Sequence, residues 1–465
     1  MPSCYAQSVR ALWLLPLTVL ASCQLPSSRG GGEGSPRASA WFDPQARIST
    51  AVRMTTPAGV DLRQAQYVRG QSGELSILVL TRDYGKRADG KADPQAVELV
   101  PAGPGTRQPL ALNEEYLPLR IFVSPERKAW CVAALHRGEG LGPETAPLHL
   151  HVWAGGAVAK LVDSQPELCP LGFVNELHIY CRPMVNRRRD AGLILFDYDW
   201  NAPAQVYALT TGQSLRAKIE AFASNADSSC IAGFAVNAEP ALPTRASITY
   251  AMTSKGRAAK RWTLPYFTSE GEDWVPALCF ADARTLATVA FRPGALDSAS
   301  PGLFRVVTLD ATSGTVRVVE DRVDPYLTIA GGGGVLFYAL RYAGDGAESW
   351  ELWVASVDGL LKRRLLLDSD ARYLSVLDAL DGQRVLVHRQ YFTVVGNSVE
   401  LHSELKEIAL GTLAQTPGGG TGVGGAESLF TPPGDSAGGS PGGEGGSAAG
   451  GETPPVGGPP PIAIP

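Results

Sequence analysis

The stretch "ELWVASVDGLLKRRLLLDS", residues 351–369, decides the fold. It opens with an aliphatic and aromatic run, reaches Asp358-Gly359, and returns through a second run that mixes apolar and basic residues. Asp-Gly suits a two-residue hairpin turn, because the central positions need positive φ. The stretch therefore reads as strand, tight turn, strand. The pattern recurs in "LHLHVWAGGAVAKLVDS" (148–164), "LILFDYDWNAPAQVYALTTG" (193–212), "ITYAMTSKGRAAKRWTLP" (248–265) and "FRVVTLDATSGTVRVVED" (304–321). A further strand pair precedes each hairpin, as in "RIFVSPERKAWCVAAL" (120–135) and "TIAGGGGVLFYALRY" (328–342).

Rare residues fix the register of this repeat. Cys131, Cys181 and Cys230 stand 50 and 49 residues apart, and Trp153 and Trp353 stand 200 apart, four such periods. A four-stranded unit returning near every 50 residues is the mark of a β-propeller blade. Units fall near 65–112, 118–164, 170–212, 219–265, 275–321, 325–369 and 372–413. The last is short of its fourth strand, and "ARISTAVRM" (46–54) is available to fill it, closing a ring and removing exposed edges. The fold class expected is all-β: a single β-propeller of about seven four-stranded blades over residues 41–416, with six to eight as the range.

The two ends have other compositions. Residues 11–21, "ALWLLPLTVLA", form an apolar run that would rise only about 16 Å as a helix, too short for a bilayer core of roughly 30 Å. With Arg10 before it, the segment 1–22 fits a signal peptide. Residues 23–40 are rich in Gly, Ser and Pro and read as a flexible tether. Residues 417–465 hold 17 Gly and 10 Pro, and such a tail is expected to be disordered. The tail carries four acidic residues and no basic one, which leaves the rest of the chain at a net charge of about −1 out of −5. That balance argues against nucleic acid as a partner.

Leu20-Ala21-Ser22-Cys23 resembles the lipobox of bacterial lipoprotein signals. The resemblance implies cleavage before Cys23, lipid on its sulfur and a membrane anchor. Gln24, rather than aspartate, follows the cysteine, which in enteric-type lipoproteins implies the outer membrane. The unit at 350–366 is similar to the repeat of TolB-type propellers, and "FVSPERKAWCVAAL" (122–135) is similar to the "SPDG" half of it, with Glu126-Arg127 in place of Asp-Gly. This resemblance implies a propeller that binds other macromolecules. "VTLDATSGTVRVV" (306–318) is similar to the turn of pyrroloquinoline-quinone propellers, but these units end in Val and Leu where that family docks its blades with tryptophan.

Motifs that suggest chemistry have plainer readings. Gly434-Asp435-Ser436-Ala437-Gly438 fits the nucleophile-elbow pattern, and Gly420 to Gly425 fits a dinucleotide fingerprint. Neither has the strand and helix its chemistry needs. His149 and His151 alternate on one strand and share a face, where a third ligand would make a metal site; structural or surface roles are the preferred reading. Cys169 and Cys181 are placed to oppose each other across a hairpin turning at Asn175-Glu176, a possible disulfide in an exported protein. The run Arg187-Arg188-Arg189 reads by default as a solvated loop, with lipid headgroups or an acidic partner as the alternative contact. No catalytic, cofactor-binding or metal residue is assigned. The function expected is a lipid-anchored, exported, non-enzymatic module that binds envelope proteins or polymers. The alternative is a propeller hydrolase or lyase acting on envelope glycans or peptides.

Overall fold

Ile77-Leu78-Val79-Leu80 places apolar side chains at four consecutive positions, and all four are buried. A strand of that composition needs cover on both of its faces. The computed structural model supplies it by laying antiparallel sheets against one another. It describes residues 39–411 apart from 85–94, 111, 113–114, 137–147, 155–159, 164–167, 174–175, 177, 184–192, 198–201, 208–217, 226–229, 237–245, 254–257, 266–267, 270–271, 274–275, 292–303, 325 and 345–346.

Strand β1 (Ile48–Thr55) leads into the first sheet: β2 (Val60–Arg69), β3 (Leu75–Asp83), β4 (Gln95–Pro101) and β5 (Gln108–Pro109). The second sheet holds β6 (Tyr116–Val123), β7 (Ala129–His136), β8 (Leu148–Ala154) and β9 (Lys160–Asp163). The third holds β10 (Leu168–Phe173), β11 (His178–Pro183), β12 (Leu193–Asp197) and β13 (Ala202–Tyr207). In the fourth are β14 (Lys218–Ser224), β15 (Cys230–Val236), β16 (Ala246–Thr253) and β17 (Ala258–Pro265). A two-stranded ribbon, β18 (Thr268–Ser269) with β19 (Glu272–Asp273), follows. The fifth sheet has β20 (Leu278–Phe280), β21 (Thr285–Phe291), β22 (Phe304–Asp310) and β23 (Val316–Val323). The sixth has β24 (Ile329–Gly332), β25 (Val335–Gly344), β26 (Ala347–Ser356) and β27 (Lys362–Asp368). The last runs β28 (Ala371–Leu380), β29 (Arg384–Val395) and β30 (Ser398–Leu410), and β1 joins it antiparallel to β30. The segment expected to fill the last unit thus does so.

Each four-stranded sheet is a meander, in sequence order except that β1 completes the last, so β2, β6, β10, β14, β20, β24 and β28 are edges. The first strands lie side by side: β2 beside β6, β6 beside β10, β10 beside β14, β14 beside β20, β20 beside β24, β24 beside β28, and β28 beside β2. Apolar clusters fill the spaces between sheets. Leu78 and Leu80 pack with Trp130 and Val132, Cys131 and Val152 pack with Phe173 and Ile179, and Phe337 and Val354 pack with Val376 and Val387. Leu62, Tyr67 and Val79 of the first sheet meet Leu380, Leu386 and Leu405 of the last. Trp41, fully buried ahead of β1, adds its ring to the sixth-to-last cluster, edge-on to Phe337. The protein is nearly all β, an assembly of the β-propeller type.

Candidate functional site

The turns between the first and second strand of each sheet are stitched to one another, and these joints build the candidate site. Arg69 N donates to Arg127 O at 2.7 Å, joining the first sheet to the second. The Glu176 carboxylate accepts from Ser124 Oγ at 2.6 Å and Glu126 N at 3.0 Å, joining the second to the third. Ser224 Oγ donates to Phe173 O at 3.0 Å, and Asn225 Nδ2 donates to Ala283 O at 2.9 Å. Gly334 N donates to Ala281 O at 2.8 Å, joining fifth and sixth. Between the sixth and last sheets, backbone meets backbone. A Cβ on Gly382 (φ +63°) would lie 2.5 Å from Gly332 O, so only glycine fits. Arg69 Nη2 lies 3.3 Å from Asp381 Oδ2, which returns the circuit to the first sheet.

The free edges of the first strands would leave amides unpaired. Side chains of the preceding sheet take some of them. Gln64 Oε1 accepts from Ile121 N at 2.8 Å, Thr328 Oγ1 from Val376 N at 2.9 Å, and Asp378 Oδ2 from Tyr67 N at 2.8 Å.

Arg127 is the largest element of this circuit. It occupies the position where the resembling repeat has glycine, and it adopts that residue's left-handed backbone, φ 66°. A side chain there is strained, and such positions persist only where the surroundings hold them. Its guanidinium reaches past the first sheet to the last. Nη1 donates to Asp378 Oδ2 at 2.5 Å and to Tyr67 O at 3.1 Å. Nη2 donates to Asp378 Oδ1 at 3.1 Å and to Ala379 O at 2.9 Å. A guanidinium has five N–H donors, and these bonds engage the pair aimed at Asp378 in fork geometry. Arg127 therefore clamps three sheets together.

A second lock lies beneath the first. β1 carries a bulge between Val52 and Met54, so Arg53 is the extra residue. Bulges re-aim a side chain, and this one directs Arg53 into the interior. Its Nε donates to Glu407 Oε2 at 2.6 Å, and both side chains are fully buried. Tyr67 OH donates to Glu407 Oε1 at 2.9 Å, and Arg384 Nη1 does so at 3.2 Å. Burial first, and then the Glu407 charge, hold the Tyr67 phenol well above its ordinary range.

Near the opposite end of the same boundary, Asp61, His388 and Ser403 meet. Ser403 Oγ lies 3.1 Å from His388 Nε2 and 3.1 Å from Asp61 Oδ1, while Gln390 Nε2 donates to Asp61 Oδ1 at 2.6 Å. Asp61 Oδ1 also lies 3.5 Å from Nε2 of His388. A catalytic relay needs acid and hydroxyl on opposite ring nitrogens; here both approach the same one. Burial lowers the His388 pKa to about 4, so the ring is neutral. The group is a buried polar network.

His149 and His151 do share a face, as the register Ala134 to His149 and Val132 to His151 requires. The structure adds two neighbours that sequence reasoning did not connect to them, His136 and Tyr116. The Tyr116 ring stands edge-on to all three imidazoles, with centroids 5.2 Å from His136, 5.3 Å from His149 and 4.8 Å from His151. Among the described residues no three ligating side chains are grouped to hold a metal. His151 is buried, and desolvation, then the nearby His149, lowers its pKa.

The backbone ladder sets Cys169 opposite Arg182 and Pro170 opposite Cys181. The two cysteines are thus one residue out of direct opposition in the backbone ladder. Cys131 and Cys279 are free thiols. Burial, with the Asp378 charge second, pushes Cys279 up to about 12, out of the nucleophilic range. Cys23, Arg187 to Arg189, Gly420 to Gly425 and Gly434 to Gly438 lie outside the described residues. The clamp itself left one signal in the sequence: a non-glycine pair, Glu126-Arg127, standing where the turn favours Asp-Gly.

No family model matches the chain, and no curated protein matches it. Solved structures do. An oligogalacturonate lyase in complex with manganese is 10% identical with a TM-score of 0.39, over 78% of this chain and 98% of that one. The β-propeller domain of the Trilobed protease from Pyrococcus furiosus is 12% identical with a TM-score of 0.44, over 75% and 94%. TolB from Acinetobacter baumannii is 14% identical with a TM-score of 0.34, over 67% and 64%.

Proposed function

We propose that this chain is a closed, seven-bladed β-propeller, exported and tethered to a membrane by lipid on Cys23, that serves as a rigid non-enzymatic binding module for envelope proteins or polymers. The observation that carries the reading is the circuit of turn-to-turn joints, which runs from Arg69 through Arg127, Glu176, Asn225, Ala281 and Gly382 back to Arg69. Each four-stranded sheet is one blade, and β1 on β30 is the seam. The charged groups of the seam are committed to it: Arg53 ties β1 to β30 through Glu407, Glu407 takes the Tyr67 hydroxyl of the first sheet, and Arg127 joins the second sheet to Asp378 of the last. A ring so held presents a fixed surface, which suits binding. The outer membrane is the proposed location, on the strength of Gln24 after Cys23.

The anchor is tested by Cys23→Ala. The variant is expected to lose labelling by a fatty-acid analogue and to leave the membrane fraction; retention of both labelling and membrane association would refute the anchor. Cross-linking in cells, followed by mass spectrometry, tests the binding role. Specific envelope partners are expected, and turnover of an envelope glycan or peptide by the purified chain would replace this reading with the enzymatic one.

A further inference from the structure

β29 runs on past the end of its neighbour. The β28–β29 ladder stops where Ala371 faces Tyr391, whereas β29 continues to Val395 and pairs there only with β30. On the other side of the hairpin, Thr56 N and Gly59 N still bond to Ser403 O and Leu401 O, so that edge is covered further out. Among the described residues, no strand lies beside the outward edge of β29 from Phe392 to Val395. Its side chains are apolar and exposed: Phe392 53%, Val394 75%, Val395 55%, and across the turn Val399 66%. Folded proteins blunt such edges with charges, proline or bulges. Residues 391–399, "YFTVVGNSV", contain no charged residue and no proline, and their ladder is regular.

We infer that this edge is a strand-addition site for an extended peptide segment of a partner, one with apolar residues at alternate positions. Main-chain hydrogen bonds to β29 would supply affinity, and contacts with Phe392 and Val394 would supply register. Two observations select this occupant. The patch is on the order of 400 Å², within the size range of functional patches on monomers. Two copies together fall below the roughly 1,200 Å² that a stable dimer buries. The first described residues also lie at the other end of that sheet. Trp41 Nε1 donates to Gly382 O, in the turn before β29. The 12 residues of β29 put about 40 Å between that turn and the hairpin tip. With the Cys23 anchor proposed above, on which this point rests, the tether joins the fold at the end far from the hairpin.

The test uses the mature chain with Cys23→Ala and a fluorescein-labelled Ser-Val-Thr-Val-Thr-Val-Ser peptide, read by anisotropy. Saturable binding is expected, lost when the peptide's central valine is replaced by proline. Val394→Asp and, separately, Val399→Asp should weaken it at least about tenfold, with unchanged thermal unfolding because both side chains are exposed. Absence of binding, or binding by both variants as tight as by the unsubstituted chain, overturns the inference. So does self-association in sedimentation that Val394→Asp abolishes, which would assign the edge to a second copy. Flotation with phosphatidylethanolamine–phosphatidylglycerol vesicles that Val394→Asp abolishes would assign it to lipid. None of these readouts depends on Cys23, so failure here and failure of the anchor are separately visible.

Discussion

Replacing Arg127 with glycine sets two effects of opposite sign against each other. Glycine relaxes the left-handed backbone at φ 66°, a gain of about 1–2 kcal/mol. The same change removes the clamp and leaves Asp378, whose side chain is 14% exposed, without its cation. Breaking a buried pair by deleting one partner costs about 3–5 kcal/mol. Asp378 keeps the amides of Tyr67 and Ala379 as donors, so the lower end of that range applies. The net expectation is a destabilisation of about 2 kcal/mol, or a fall in Tm of about 3 °C for a body of this size. Urea unfolding of Arg127→Gly, Asp378→Asn and the double variant would yield the coupling energy, expected to exceed about 1 kcal/mol. A neutral or stabilising Arg127→Gly would refute the reasoning. The turn's demand for glycine would then outweigh the clamp, and the long reach of Arg127 would be incidental.

Glu407→Gln strikes the second lock. It leaves Arg53, fully buried, with no carboxylate, and should cost about 3–5 kcal/mol in urea unfolding; a loss below 1 kcal/mol would show that the seam is held by apolar packing alone. Stability should also fall on acidification between pH 6.5 and about 4, since the unfolded chain takes up a proton on His388 that the folded chain refuses. The contribution is on the order of 3 kcal/mol, and the fall within that window should be shallower in His388→Gln; an unaltered pH profile would remove His388 as the cause.

Local chemistry wrote much of the fold into the sequence. Apolar runs, Asp-Gly and Gly-rich turns and the 50-residue spacing act over a few residues, so they announced the strands, the repeat and the vacancy that β1 fills. The joints were not legible, because they link residues from about 50 to more than 300 positions apart. Arg127 meets Asp378, and Arg53 meets Glu407, only after the first and last parts of the chain have come together, and no local pattern marks which distant carboxylate a given arginine will find. The turn at Asn175-Glu176 located the hairpin that carries Cys169 and Cys181, and the backbone ladder sets its register one residue from direct opposition. The His149–His151 face was readable from alternation along one strand, but Tyr116 and His136 joined it through strand pairing. Periodicity and turn chemistry are properties of the chain and could be read from it. Which edges close, which charges are buried together and which edge of β29 stays open depend on how the sheets come to lie beside one another, and only the tertiary structure decided them.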